Sequence, residues 1–264
     1  MTWHSIKFGD ENSRPLVLLH GVGMSASAWL PVVDLLKTER RVIAYDLPGH
    51  GKTPPFPKGC DLSPKAMAEK LKQVLETDGI SEPVDIAGNS LGGYIALEFA
   101  KLGYARSVVG ISPAGLWKNK VPFWIPFVLG VVKIAVCQPF RFFTLQIIKL
   151  RFGRWLVFKI PVSAKGSKIS KKDAKSTIMN FASTKNLRKM MMASAKPFRN
   201  GNKISAPCTI AFGDKDWLLL KKNAQLRDQL PEHHIWSEEL QNCGHVPMWD
   251  NPEKVAEIIL SGTK

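Results

Sequence analysis

The stretch Val84–Ala87, Gly88-Asn89-Ser90-Leu91-Gly92-Gly93, Tyr94–Lys101 constrains this chain more than any other. An apolar run with strand character passes through a G-x-S-x-G turn directly into a helical run. Such a turn is tight and holds its central residue in a strained backbone conformation. Small residues two positions to either side let strand and helix approach closely. The serine hydroxyl then projects at the end of a sheet, beside a helix N-terminus that favours negative charge. The same five letters also arise by chance in glycine-rich turns, but the setting between an apolar strand and a helix argues against that reading.

A buried strand feeding a helix needs parallel neighbours. Leu16–Leu19, Val42–Tyr45, Val108–Ile111 and Thr209–Phe212 are short apolar runs of the same kind, with His4–Phe8 ahead of them and a weaker candidate at His234–Leu240. Between them, Pro64–Glu76 places Met67, Leu71, Val74 and Leu75 on one helical face. This alternation predicts an α/β protein with a mostly parallel sheet flanked by helices. The length of 264 residues suits one catalytic domain with an insertion. The alternation stops between about Leu116 and Lys203, where the sequence is helical in tendency, and resumes at Thr209. Residues 1–115 and 204–264 are therefore read as the core, with 116–203 inserted as a helical cap.

Three more loops follow predicted strands. His20-Gly21-Val22-Gly23 follows Leu16–Leu19. A tetrahedral acyl-transfer intermediate carries negative charge on the former carbonyl oxygen, which two backbone N–H groups can stabilise. Leu91, after the serine, and Val22 are the expected oxyanion-hole donors. His20 is read as a structural support for its loop.

Gly213-Asp214-Lys215-Asp216 follows Thr209–Phe212. Asp216 lies further into the loop and is the expected acid, while Asp214 reads as a turn former. The loop after the preceding strand, Ser112-Pro113-Ala114, offers no carboxylate. His245 sits in the last loop, Asn242-Cys243-Gly244-His245-Val246-Pro247, ahead of a C-terminal helix expected over Pro252–Leu260. The chain order is thus Ser90 nucleophile, Asp216 acid, His245 base. Histidine would take the serine proton, serine would attack a carbonyl, and water would release the acyl group. This chemistry requires no metal and no organic cofactor.

With these residues in place, the chain resembles the α/β-hydrolase superfamily. The shared marks are Leu18-Leu19-His20-Gly21, Asp46-Leu47-Pro48-Gly49-His50-Gly51, Gly88–Gly93, Gly213–Asp216 and Gly244-His245. Residues 244–253, Gly-His-Val-Pro-Met-Trp-Asp-Asn-Pro-Glu, look like the C-terminal signature of the serine branch with lid domains. That branch includes carboxylesterases, lactonases, ring-cleavage-product hydrolases and cofactor-free haloperoxidases. The resemblance implies the α/β-hydrolase fold, the triad and an acyl-enzyme, but no particular substrate. Serine at residue 90 disfavours the haloalkane dehalogenases and epoxide hydrolases, which need a carboxylate nucleophile. Two departures stand out: room for only one strand before Leu16, and an unusually basic insertion.

The formal charge is +15, and all of the excess lies in the insertion. Residues 116–203 hold nineteen Lys/Arg and one acid, Asp173, a balance of +18, whereas the rest of the chain carries −3. The segment is also apolar, with Val121–Phe127 leading into Val128–Val136. That run is broken by Pro122, Pro126 and Lys133 and is shorter than the ~20 apolar residues of a membrane span. A lid with an apolar inner face and a basic outer face fits better. Three readings stay open for that outer face: docking on an anionic membrane surface, steering of an anionic substrate, or a solvated face with no partner. Nucleic acid is disfavoured because no recognition motif accompanies the charge.

Four cysteines, Cys60, Cys137, Cys208 and Cys243, form no C-x-x-C pair and no zinc pattern. Met1 runs into polar residues rather than a leader. Both features predict reduced thiols in a cytoplasmic protein, with membrane-peripheral docking left open. The expected activity is hydrolysis of a carboxylic ester on a small-molecule acyl substrate, apolar or anionic. Hydrolysis of a carbon–carbon bond in a ring-cleavage product, and ligand binding without catalysis, are the alternatives.

Overall fold

In a computed structural model, which describes residues 2–238 and 240–264, each of these apolar runs pairs as a strand. The strands are β1 (Ser5–Phe8), β2 (Pro15–Leu19), β3 (Arg41–Tyr45), β4 (Val84–Asn89), β5 (Ala105–Ile111), β6 (Cys208–Ala211) and β7 (Ile235–Ser237). The described residues form one seven-stranded sheet in the order β1-β3-β2-β4-β5-β6-β7. Only β1 runs antiparallel, against β3, and every other pairing is parallel. Leu16–Leu19 and Val42–Tyr45 are fully buried, which is why they read as continuous apolar runs rather than alternating ones. The strand expected over 234–240 is shorter than its apolar pattern, and Glu239 within that range lies outside the described residues.

The helices of the core follow their local signals. α1 (Leu30–Leu36) has no counterpart among the sequence expectations. Pro31 masks it, yet proline in a first helical turn sacrifices no hydrogen bond. α2 (Pro64–Thr77) opens on Ser63, whose hydroxyl accepts the Ala66 N–H at 3.2 Å, and buries Met67, Leu71, Val74 and Leu75. α3 (Leu91–Lys101) begins immediately after Ser90.

Between β5 and β6 the chain forms α4 (Trp124–Val136), α5 (Arg141–Ile147), α6 (Arg151–Phe158), α7 (Lys171–Ser183) and α8 (Leu187–Ala193). No strand interrupts them among the described residues. A single turn, α9 (Lys221–Ala224), follows β6, and α10 (Pro252–Gly262) closes the chain with Asn251 capping its N-terminus. Within the core, α1 packs on α10 and α2 on α3.

One charge is buried inside the sheet. Asp85 of β4 is paired with Arg14 Nε at 3.0 Å and Arg106 Nη2 at 2.6 Å, and it accepts the Ser107 hydroxyl at 2.7 Å. Two guanidinium groups and a hydroxyl offset the desolvation of that carboxylate.

Candidate active site

β4 delivers Ser90 at its carboxyl end. Ser90 has φ 55° and ψ −117°, the strained elbow that the sequence predicts. Backbone bonds hold it on both sides: its N–H donates to Ile111 O at 3.1 Å, and its carbonyl accepts from Tyr94 N at 3.0 Å and Ala114 N at 2.9 Å. Close approach explains the flanking glycines. A Cβ at Gly88 would lie 2.2 Å from Gly92 O, and one at Gly92 would lie 2.2 Å from Leu19 O. Neither position has room for a side chain.

The two side chains expected as acid and base, Asp216 and His245, meet each other. His245 Nδ1 and Asp216 Oδ2 are 2.8 Å apart, with both side chains buried. Asp216 Oδ1 accepts the N–H groups of Leu218 at 2.9 Å and Leu219 at 2.8 Å. An ionised carboxylate only accepts hydrogen bonds, so His245 carries its proton on Nδ1 and leaves Nε2 free to take one. Asp214 points elsewhere: its Oδ1 accepts Cys243 N–H at 3.1 Å and ties the acid loop to the histidine loop. Cys243 is buried, its thiol donates to Gln241 O at 3.3 Å, and burial pushes the thiol up to about 12. It is a poor nucleophile there.

The remaining histidines are engaged in other places. His20 is buried and accepts the Leu47 N–H on Nε2 at 3.0 Å, so its Nδ1 donates to Gly21 O at 2.8 Å. It orders the loop that carries Gly21 and Val22. Burial lowers its basicity, keeping the ring neutral. His50 contacts Pro48 O at 3.1 Å, His4 pairs with Asp46, and His233 and His234 bond to Ala206 O and Pro231 O. Asp46 also accepts the N–H groups of Ala26 at 2.7 Å and Lys52 at 2.9 Å, which makes the Asp46–Gly51 motif a loop clamp.

Ser90, Leu91, Val22 and His245 all line one cavity of about 390 Å³. Leu91 is the first residue of α3, so its N–H is one of the helix donors without an intrahelical acceptor. The rest of the wall is mainly apolar and comes from the helices after β5, with Leu129, Val132, Val136, Ile178, Phe181 and Met190 among its residues. Arg188 is the one Lys or Arg among the described residues that line it.

Two positioning residues escaped the sequence reading. Asn89 donates from Nδ2 to His245 O at 2.9 Å and to Ile111 O at 3.1 Å. Asp250 joins the histidine loop to the segment after α6. Its Oδ2 accepts Gly244 N at 2.7 Å and Ala164 N at 3.0 Å, and its Oδ1 accepts Ser163 Oγ at 2.5 Å and Lys165 N at 2.9 Å. Both residues stood inside motifs whose neighbours attracted the roles. Asp250 carried one signal, an acid that directly follows the apolar run Val246-Pro247-Met248-Trp249, two residues before α10 begins at Pro252.

Comparison with known proteins agrees with this architecture. The model of the alpha/beta hydrolase family matches residues 16–258. Epoxide hydrolase EphH of Mycobacterium tuberculosis is 28% identical over 208 residues, covering 76% of this chain and 94% of that protein. A 2-hydroxy-6-oxononadienedioate/2-hydroxy-6-oxononatrienedioate hydrolase of Paraburkholderia phymatum is 29% identical over 257 residues, covering 93% of this chain and 85% of that one. Among solved structures, the enol-lactonase from Burkholderia xenovorans LB400 superposes with a TM-score of 0.75 at 16% identity, over 98% of this chain and 95% of that chain.

Proposed function

This chain belongs to the alpha/beta hydrolase family, and from that premise we propose that it is a serine hydrolase that cleaves a carboxylic ester with an apolar acyl part through an acyl-enzyme. One observation carries the reading: Ser90 and His245 open on the same apolar cavity, with Asp216 bonded to the far nitrogen of the imidazole at 2.8 Å.

The mechanism follows from the protonation states. Nε2 of His245 takes the hydroxyl proton as Ser90 Oγ attacks the ester carbonyl. The oxyanion is received by the N–H groups of Val22 and Leu91, each worth ~10²–10³ in rate where such donors have been removed. The imidazolium, stabilised by Asp216, protonates the departing alcohol. Water then loses a proton to the same nitrogen, attacks the acyl-enzyme, and the acid leaves. Residue 90 is serine and not the carboxylate nucleophile expected for epoxide opening, so that activity is not proposed.

Carbon–carbon bond hydrolysis is the second reading, favoured by the relative from Paraburkholderia phymatum over 93% of the chain. A dienedioate carries two carboxylates, whereas the cavity offers one cationic side chain in Arg188. The cavity composition therefore favours an apolar ester. The test is turnover of p-nitrophenyl esters of graded chain length beside a dienedioate, with Ser90→Ala as control. Ester turnover lost in Ser90→Ala supports the proposal. Dienedioate turnover alone reverses the ranking, and no turnover together with no fluorophosphonate labelling of Ser90 leaves a binding protein.

A further inference from the structure

Helix α4 is apolar on two faces. Ile125, Leu129, Val132 and Val136 line the cavity. Phe123, just before the helix, and Phe127, Val131 and Ile134 recur at helical spacing on another face and are half or more exposed, Phe123 to 81%. The one charged residue of α4, Lys133, spends its ammonium on the carbonyls of Phe181 at 3.0 Å and Ala182 at 2.8 Å. No charged group of α4 is left to hydrate the outer face.

The outer apolar surface continues past α4. α5 is bent 91° from it and exposes Phe142 and Phe143, and α6 exposes Phe152 and Leu156. Twelve of the eighteen large apolar side chains exposed among the described residues fall within 123–160. Such concentration marks an interaction surface rather than scattered exposure. Cations are interleaved with it: Lys149-Leu150-Arg151-Phe152 and Lys159-Ile160 are all exposed. Phe152 stacks on Trp155, and the Lys159 ammonium sits 4.5 Å from the Trp155 ring. Among the described residues no Lys or Arg of 116–203 forms a salt bridge with a carboxylate.

We propose that the outer face of α4–α6 docks on an anionic lipid leaflet, with the aromatic and aliphatic side chains inserted and the cations at headgroup level. Charge selects this occupant. The cap carries +18, so a second copy of the same face would meet strong repulsion, whereas an anionic leaflet attracts it. Length sets the depth. Thirteen residues of α4 span about 20 Å, short of the ~30 Å hydrocarbon core, and its opposite face is committed to the cavity. α4 therefore lies in the interface and forms the wall shared by leaflet and cavity. Delivery of an acyl chain from the leaflet into that cavity rests on the ester-hydrolase reading; the docking itself does not.

Flotation of the full chain with vesicles tests the surface. Vesicles of phosphatidylcholine alone are compared with vesicles containing phosphatidylglycerol, at low and high salt. Wild type and Ser90→Ala are expected to float equally with the anionic vesicles, and high salt is expected to weaken both. Lys149→Glu with Arg151→Glu should lower partitioning at least about 25-fold, taking about fivefold per cation near the surface. Phe127→Ser with Phe152→Ser should lower it at least about tenfold. Circular dichroism confirms that each variant is folded, and hydrolysis of a short soluble ester should stay at the wild-type level. Wild-type protein that remains free of anionic vesicles overturns the proposal, as does flotation of both double variants at the wild-type level. Equal binding to neutral vesicles overturns the anionic assignment, and a dimer in light scattering without flotation assigns the face to a second copy. Because Ser90→Ala tests docking without catalysis, failure of either reading is distinguishable from failure of the other.

Discussion

The side-chain amide of Asn89 donates to the backbone carbonyl of His245 at 2.9 Å, so the residue before Ser90 grips the loop that carries His245. The same amide reaches Ile111 O at the end of β5. Asn89→Ala removes both bonds in a fully buried place, leaving the His245 carbonyl unsatisfied at a cost of about 1–3 kcal/mol, while Ile111 O keeps the Ser90 N–H. Freed of this tether, the imidazole samples positions away from Ser90. The expected result is a kcat at least about tenfold lower with KM little changed, because a small misplacement of the base costs rate rather than binding. Fluorophosphonate labelling of Ser90, measured well below the unfolding temperature, should slow in parallel. Labelling at the wild-type rate would assign Asn89 a purely structural role.

Asp216→Asn addresses the tautomer. The native carboxylate accepts Leu218 and Leu219 N–H on one oxygen and His245 on the other. An asparagine that keeps its oxygen on those two donors turns its NH₂ towards His245 Nδ1. The imidazole then carries its proton on Nε2 and cannot accept one from serine. A fall in kcat of about 10³–10⁴ is expected at neutral pH, with a melting temperature within a few degrees of wild type. Steady-state kinetics on a p-nitrophenyl ester and a thermal melt check both parts.

Much of this arrangement was legible in the sequence because short parallel strands are unbroken apolar runs and their C-terminal loops carry glycine. Ser90 and Asp216 each follow such a run and His245 follows the weaker, partly exposed β7, so the sheet brings their loops to one edge. α1 was not legible, because Pro31 reads as a breaker when its position within the turn is unknown. The partners of Asn89 and Asp250 were not legible for another reason. Each bonds across more than eighty residues of sequence, as Asn89 does to His245 and Asp250 to Ser163, and no local pattern encodes such a bond. The helical stretch between β5 and β6 announces itself by its loss of alternation, but which face of each helix meets the cavity depends on packing alone.

Asp250→Ala should loosen the hinge between the segment after α6 and the loop that carries His245. Four hydrogen bonds converge on this carboxylate, from Gly244, Ala164, Lys165 and Ser163. Their loss leaves several buried or half-buried donors unpaired, an expected cost of about 2–5 kcal/mol. For a chain of this size that corresponds to a melting temperature about 5–15 °C lower. Hydrogen exchange should rise in residues 162–165 and 244–246 before it rises in β2 or β4. Uniform exchange across the chain would argue against a local hinge.

Acid should destabilise the fold through His20 and His50. Their rings meet edge to face at 5.2 Å, both are buried, and His50 is held down to about 3 by burial and by the neighbouring ring. His20 is lowered too, chiefly by burial. Both are neutral in the folded chain, while the unfolded chain takes up protons below the ordinary histidine value of 6.5. A depressed folded value means that the stabilisation is complete above about 6.5 and is lost progressively as pH falls towards 3. The slope is about 1 kcal/mol per pH unit for each histidine. Urea midpoints at pH 7, 5.5 and 4.5 should therefore decline, and His50→Asn, with no group to protonate, should decline less steeply. His20 cannot be replaced so simply, since its Nε2 holds Leu47 N–H and its Nδ1 holds Gly21 O. Equal slopes in wild type and His50→Asn would remove His50 from the account of acid unfolding.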